Sequence, residues 1–248
     1  MNTFIKKIIF LFSTVFLLLD YGYSKNDIDK NAKSNNNSGS NNSRVFAECA
    51  KSTSKMNLDI NNVRTMLHNG GDMWWDLVGE ARYEIPKVND PTLPKKHSMF
   101  AGAIWIGGIT PGNQLLVAAQ TYRQSSRYSY WPGPLDTLTG ITPGECLAWD
   151  RHFKVNATTI DDFVANYTAS INPDDIEDEI KFWPGKNNHF LLEQDPDFGM
   201  TLDNNLAPFI DVDGDGNYDP FMGDYPDIVG DQAIWWVMND AGGTKILD

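Results

Sequence analysis

The chain is poor in cysteine, in histidine and in positive charge: its 248 residues include two Cys, four His, and 20 Lys or Arg against 33 Asp or Glu, for a formal net charge of −13. Each scarcity excludes something. A strongly acidic chain is repelled by nucleic acid and by anionic membrane surfaces, and no basic patch interleaved with aromatics offsets that, so nucleic-acid binding is set aside. His68, His97, His152 and His189 stand apart, without His-x-x-x-His or Glu spacing for zinc, and read as ordinary strand or turn residues. Gly-x-Ser-x-Gly is missing, as is a glycine loop that would cradle phosphate. There is no internal repeat and no alternating strand–helix pattern.

Long apolar runs are scarce as well. The run Ile8–Leu19 covers 12 residues, broken by Ser13 and Thr14, and follows Lys6 and Lys7. A membrane-spanning helix needs ~20 apolar residues, so this run fits a signal-peptide core better than an uncleaved anchor. Gly22 and Ser24 are the small residues that a cleavage after Ser24 requires, and no cysteine follows to accept a lipid. The expectation is a signal peptide over 1–24, export to the outer surface or beyond, and no integral span after cleavage. Loss of Lys6, Lys7 and Asp20 would take the charge from −13 to −14. Residues 25–43 are mostly Asn, Ser and Lys, too polar to offset their ordering entropy, and are expected to be a disordered linker. The rest, 44–248, suits one β-rich domain. It contains both cysteines, Cys49 and Cys146. An exported location permits a bridge between them; two buried thiols fit the sequence equally well.

What the chain does have is a loop of alternating carboxylates, Asp211-Val212-Asp213-Gly214-Asp215-Gly216-Asn217-Tyr218-Asp219. Ca²⁺ takes six to eight oxygens at about 2.3–2.6 Å from a loop that must bend sharply around it. Asp211, Asp213, Asp215 and Asp219 occupy positions 1, 3, 5 and 9 of such a loop. Gly216 sits at the sharp turn, and Asn217 offers its carbonyl at position 7. Position 12, where an EF-hand has a bidentate Glu, is Met222, which cannot ligate a hard cation; the next carboxylate is Asp224. Asn204-Asn205-Leu206-Ala207-Pro208 gives no helix before the loop. The expected site is therefore a static Ca²⁺ loop in an extended context, with ligands among Asp211, Asp213, Asp215, Asn217, Asp219 and Asp224. The bland reading is an acidic Asp/Gly surface turn, which has no need of the alternation.

Elsewhere the pattern is mainly β. Short strand-like runs at 60–67, 73–76, 82–85, 98–106, 115–122, 149–155 and 233–238 are separated by Gly- and Pro-bearing turns, which favours an antiparallel β-sandwich-like domain. A two-helix insert is expected over about 158–183. Thr158 or Thr159 caps the first helix with Asp161 and Asp162 in its first turn; Asn172 caps the second, with Pro173 at its first position. Asp174, Asp175, Glu177, Asp178 and Glu179 resemble a metal cluster, but consecutive helical side chains splay around the axis, as on a solvated acidic face.

Eight tryptophans stand out. In strands, neighbours face opposite ways, so one of Trp74 and Trp75, and one of Trp235 and Trp236, should point outward. Such indoles can stack on sugars, lie under loops or a neighbouring domain, or fill space between sheets. Asp72, Asp76 and Glu84 are candidate paired carboxylates for glycosidic chemistry, whose separation sequence cannot fix. Asp136-Thr137-Leu138 matches a three-residue O-glycan acceptor pattern.

Several stretches in one order carry a resemblance. They include His68-Asn69-Gly70-Gly71-Asp72-Met73-Trp74-Trp75-Asp76, Phe100-Ala101-Gly102-Ala103-Ile104-Trp105-Ile106-Gly107-Gly108 and Trp131-Pro132-Gly133-Pro134. Asn62-Val63-Arg64, Arg82-Tyr83-Glu84-Ile85-Pro86, Ala119-Gln120-Thr121-Tyr122, Ala207-Pro208-Phe209-Ile210-Asp211 through Asp219-Pro220, Gly223-Asp224-Tyr225-Pro226 and Trp235-Trp236-Val237-Met238-Asn239-Asp240 complete the set. Over roughly 58–240 the chain resembles the N-terminal region of large exported Bacteroidetes proteins that carry type IX secretion sorting domains. The resemblance implies a surface or released protein, mostly without assigned activity, with a calcium-type loop at the matching aspartates. Members of that group are longer, so a truncated reading frame is expected, with Ala241-Gly242-Gly243 leading toward a missing partner strand. Two functions compete: a non-catalytic module rigidified by calcium, whose partners are surface glycans or downstream domains, and a polysaccharide-binding or polysaccharide-degrading protein using exposed Trp and carboxylates.

Overall fold

The computed structural model describes residues 49–121, 128–135, 141–203 and 206–240. The signal segment, the linker, Tyr122, the Asp136-Thr137-Leu138 motif and the Ala241-Gly242-Gly243 turn lie outside them. Six strands make the main sheet: β1 (Lys55–Leu58), β2 (Arg64–His68), β3 (Asp72–Met73), β4 (Tyr83–Glu84), β5 (His97–Met99) and β6 (Gly102–Ala103). β2 is the hub. One edge holds β1 in the register Lys55↔His68 to Leu58↔Thr65; the other holds β3 at Leu67↔Met73 and β4 at Thr65↔Tyr83. β6 then extends β3, and β5 extends β4. The turn into β3 depends on Gly71. Its φ is +81°, and a Cβ there would lie 2.2 Å from the Tyr130 ring, so both backbone and space demand glycine.

β7 (Trp105–Ile109) and β8 (Leu115–Ala119) form a hairpin, turned at Thr110-Pro111-Gly112-Asn113-Gln114, where Thr110 N–H donates to the Gln114 carbonyl and Gln114 N–H to the Thr110 hydroxyl. The Ile104 N–H donates to the Gly71 carbonyl at 2.7 Å and ties the hairpin base to the sheet. β9 (Trp131–Pro132) pairs with β14 (Met238–Asn239), β10 (Phe153–Asn156) with β13 (Gln232–Trp235), and β11 (Phe209–Ile210) with β12 (Tyr225–Pro226). All these pairings are antiparallel, and the fold is β-rich with four short helices among the described residues.

Beyond the main sheet, the described residues form four two-stranded sheets. The strands run two to five residues, and the side chains that the main sheet buries are polar: Thr65, His68, Asp72 and Glu84. The apolar core lies elsewhere, around Trp149 and Trp183, and is lined by Phe153, Val155, Ile160, Phe163, Ile180, Leu191, Phe198 and Tyr218. Trp149 makes edge-on contacts with Phe153, Phe198 and Trp235, an arrangement that the ring quadrupoles favour. Cys49 and Cys146 are joined by a disulfide, Cα atoms 5.9 Å apart, and pack with Ile141 in a small satellite cluster.

The helices differ from expectation in instructive ways. α1 (Pro143–Ala148) occupies a stretch not expected to be helical. Thr142 and Glu145 form a reciprocal capping box, with Pro143 at the first position. Trp149, expected in a strand, is its C-cap, and Asp150 is taken by four donors from Ser52–Ser54, so the strand starts only at Phe153. α2 (Ala157–Asn166) starts earlier than Thr158, so Asp161 and Asp162 fall outside its first turn. Asn172 does cap a helical turn with Pro173 first, but that turn is 3-10 and ends at Ile176, which turns extended to bury its side chain. α3 (Asp178–Lys181) follows, then α4 (His189–Gln194). Asp174, Asp175, Glu177 and Asp178 are exposed, and Glu179 accepts hydrogen bonds from Asn156 and Thr159.

Candidate metal centre

The Asp loop is a closed excursion between β11 and β12, whose register Phe209↔Pro226 and Ile210↔Tyr225 brings its two ends together. Its flanks are fixed by buried groups. The Tyr218 side chain is fully buried; its hydroxyl donates to the Ile180 carbonyl at 2.6 Å and its N–H donates to the Lys186 carbonyl at 2.7 Å. Gly185 is what admits that ring, since a Cβ there would stand 2.5 Å from Tyr218 Cβ. Tyr167 donates its hydroxyl to the Phe221 carbonyl at 2.6 Å and holds the far side.

Within the loop, Gly214 and Gly216 take φ of +78° and +80°, where open space surrounds them, so the backbone conformation alone calls for glycine. Those turns let Asp211 accept from both the Gly214 and Gly216 N–H groups, at 2.8 and 2.9 Å. Asp213 accepts from Asp215 N–H, and Asp215 from Asn217 N–H. The outcome is convergence: one carboxylate oxygen from each of Asp211, Asp213 and Asp215 lies within 4.8 Å of the other two. Oxygens on opposite sides of a shared Ca²⁺ stand about 5 Å apart, so this spacing is what one ion of that size accommodates. No salt bridge of the described residues involves any of the three.

The other expected ligands are placed differently. Asp219 is the N-cap of the 3-10 turn Pro220–Met222, accepting from Phe221 N–H at 2.9 Å. The side-chain oxygen of Asn217 accepts from Asn187 Nδ2 at 2.5 Å, a partner 30 residues away that local sequence did not reveal. Asp224 is fully buried behind the loop, and its two oxygens accept from Val212 N–H at 2.7 Å and Asp219 N–H at 2.8 Å. It therefore clamps the two limbs of the loop together. Burial raises the Asp224 carboxyl above its ordinary value, the two backbone N–H groups oppose that, and the charges of Asp211 and Asp213 add to it. Burial, with the charges of Asp224 and Asp219, likewise pushes the Tyr218 phenol well up. The region thus holds concentrated negative charge, and among the described residues none of Asp211, Asp213 and Asp215 is in an ion pair. The donor set is hard oxygen only, which suits Mg²⁺, Ca²⁺ or Mn²⁺ and not a thiolate- or imidazole-seeking metal.

The carboxylates considered for glycosidic work are committed elsewhere. Asp72 is buried and accepts from Trp75 Nε1 at 2.8 Å. Asp76 gathers the N–H groups of Glu80, Val78 and Gly79 and the Arg82 guanidinium, which together hold its carboxyl at about 2. Glu84 pairs with Arg64 at 3.1 Å. Trp75 is buried, Trp74 lies against Gly102, and Trp235 and Trp236 are both half-covered, so neither pair presents an outward indole. Trp105 is the exposed one, at 71 %. No family model, no curated protein and no solved structure matches the chain.

Proposed function

We propose that this chain is a secreted or cell-surface, non-catalytic module of a larger exported adhesion or structural protein, and that Ca²⁺ rigidifies it at Asp211, Asp213 and Asp215. The carrying observation is the convergence of three carboxylate oxygens, none in an ion pair among the described residues, on a loop whose flanks are anchored in the core. The carbonyl of Asn217 and water would complete the shell of a hard cation that needs six or more oxygens. Export rests on the apolar run Ile8–Leu19 and its small-residue cleavage site, and the type IX assignment on the resemblance over 58–240. Downstream domains of the same protein and surface glycans are the partners this reading expects. The polysaccharide reading keeps one supporting feature, the exposed indole of Trp105, and no open carboxylate pair among the described residues.

Calorimetric melting tests the reading. An Asp-only shell without a bidentate twelfth ligand fits a dissociation constant of ~10⁻⁴–10⁻³ M, so 10 mM Ca²⁺ would add roughly 1.4–2.7 kcal/mol by mass action. For a domain of this size that is a rise of roughly 3–10 °C over the sample with chelator. Equal melting temperatures would count against it.

A further inference from the structure

The β7–β8 hairpin is built to be covered and is bare. Its pairs Trp105↔Ala119, Gly107↔Val117 and Ile109↔Leu115 put Trp105, Ile109, Leu115 and Val117 on one face. These four are 71, 70, 67 and 62 % exposed. Ile106 and Leu116, on the opposite face, are exposed too. Strands apolar on both faces are the signature of a buried position, not of a sheet with one wet side. From Ser98 to Tyr122 no side chain carries a charge, in a chain whose net charge is −13. The usual defences of an exposed edge, a Lys or a charged inward residue, are therefore missing from the hairpin.

We propose that this hairpin is a self-association surface, and that two copies of the chain pack their Trp105–Ile109–Leu115–Val117 faces together across a two-fold axis. Area points to it. The four exposed side chains present on the order of 500 Å², the upper range of the largest patch on an ordinary monomer, and two copies would bury about 1,000 Å², the threshold of a specific interface. Electrostatics agrees. Two chains each at −13 repel, and a charge-free face is where a like-charged copy can approach with no local like-charge contact to overcome. The largest side chain of the face is preorganised. Trp105 Nε1–H donates to the Gln120 carbonyl at 2.8 Å, so its one polar atom is satisfied within the chain and the ring is held as a fixed apolar plate. A two-fold contact sets the same face of each copy against the other, and beside Trp105 that face carries Gly107 and Ala119, the smallest residues on it.

Sedimentation velocity on the whole chain between about 1 and 100 µM tests this, with chelator present so that the Asp loop does not contribute. The expected result is a reversible monomer–dimer equilibrium. Raising NaCl from 50 to 500 mM should tighten it, because salt screens the repulsion of the two acidic chains while the contact itself holds no ion pair. Trp105→Lys and, separately, Val117→Lys should each raise the dimer dissociation constant by about 30-fold or more, as loss of a hot-spot side chain does. Circular dichroism and the melting temperature of both variants should match the parent, which separates lost association from lost folding. A parent that stays monomeric at 100 µM overturns the proposal, whether or not Trp105 then binds a glycan. So does a dimer that persists in both variants, a dimer weakened by salt, or open-ended aggregation without a defined dimer.

Discussion

Mild acidification should destabilise this domain through His152. The imidazole is 8 % exposed; its Nδ1 meets Ser54 Oγ at 2.8 Å, its ring lies 5.5 Å from that of Trp236, and its Nε2 is buried without a partner. Burial pulls its pKa down to about 4; Asp150 opposes that and His68 adds to it. The sign follows. The folded state prefers the neutral ring, so the stability linked to this group is complete above the unfolded value near 6.5 and drains away as pH falls toward 4. Between pH 7 and 5.5, where few carboxylates protonate, one such group removes about 1.2 kcal/mol. Urea unfolding followed by tryptophan fluorescence at pH 7, 6.5, 6 and 5.5 measures it directly. His152→Gln keeps a polar side chain of similar reach but cannot charge, so its stability should be nearly flat over that interval while the parent declines. Parallel curves for the two proteins would refute the assignment of the buried imidazole.

Two further outcomes follow from the packing. Replacing both Cys49 and Cys146 with Ser opens a loop of 97 residues and should cost about 2–5 kcal/mol in urea unfolding; a change below about 0.5 kcal/mol would show that the bridge is dispensable. Gly185→Ala places a Cβ 2.5 Å from Tyr218 Cβ, a clash between two backbone-anchored atoms, and should cost roughly 1–3 kcal/mol while weakening the loop's response to Ca²⁺; an unchanged melting curve would mean the ring is not seated as described.

The Asp loop is the most legible part of the chain, because its turns are local. Alternating Asp and two glycines specify turns whose side chains converge, and Asp211, Asp213 and Asp215 do converge. The sequence suggests Asp219 as a ligand by its place at position 9 of the loop, and Asp224 as the next carboxylate along the chain. Their roles as a cap and as a buried clamp depend on β11 and β12 closing the loop, which no local spacing announces. The same holds for Asn187, whose partner Asn217 is 30 residues away. The antiparallel β character was readable from turns and short apolar runs, but not the location of the core. Thr142-Pro143-Gly144-Glu145 did carry its own signal, a capping box with proline at the first position, and α1 could have been read from it. The tryptophans misled for a physical reason. Alternation assumes regular strands, whereas Trp74 has φ of +74° and β13 ends at Trp235, so neither pair keeps the strict inward–outward alternation.

Asp211, Asp213 and Asp215 are expected to bind one divalent cation, and crystals soaked in a lanthanide show whether they do. A single anomalous peak about 2.3–2.6 Å from one oxygen of each aspartate is the expected result. Density without a peak in that loop, or a peak displaced to the Asp174–Glu179 face, would contradict it.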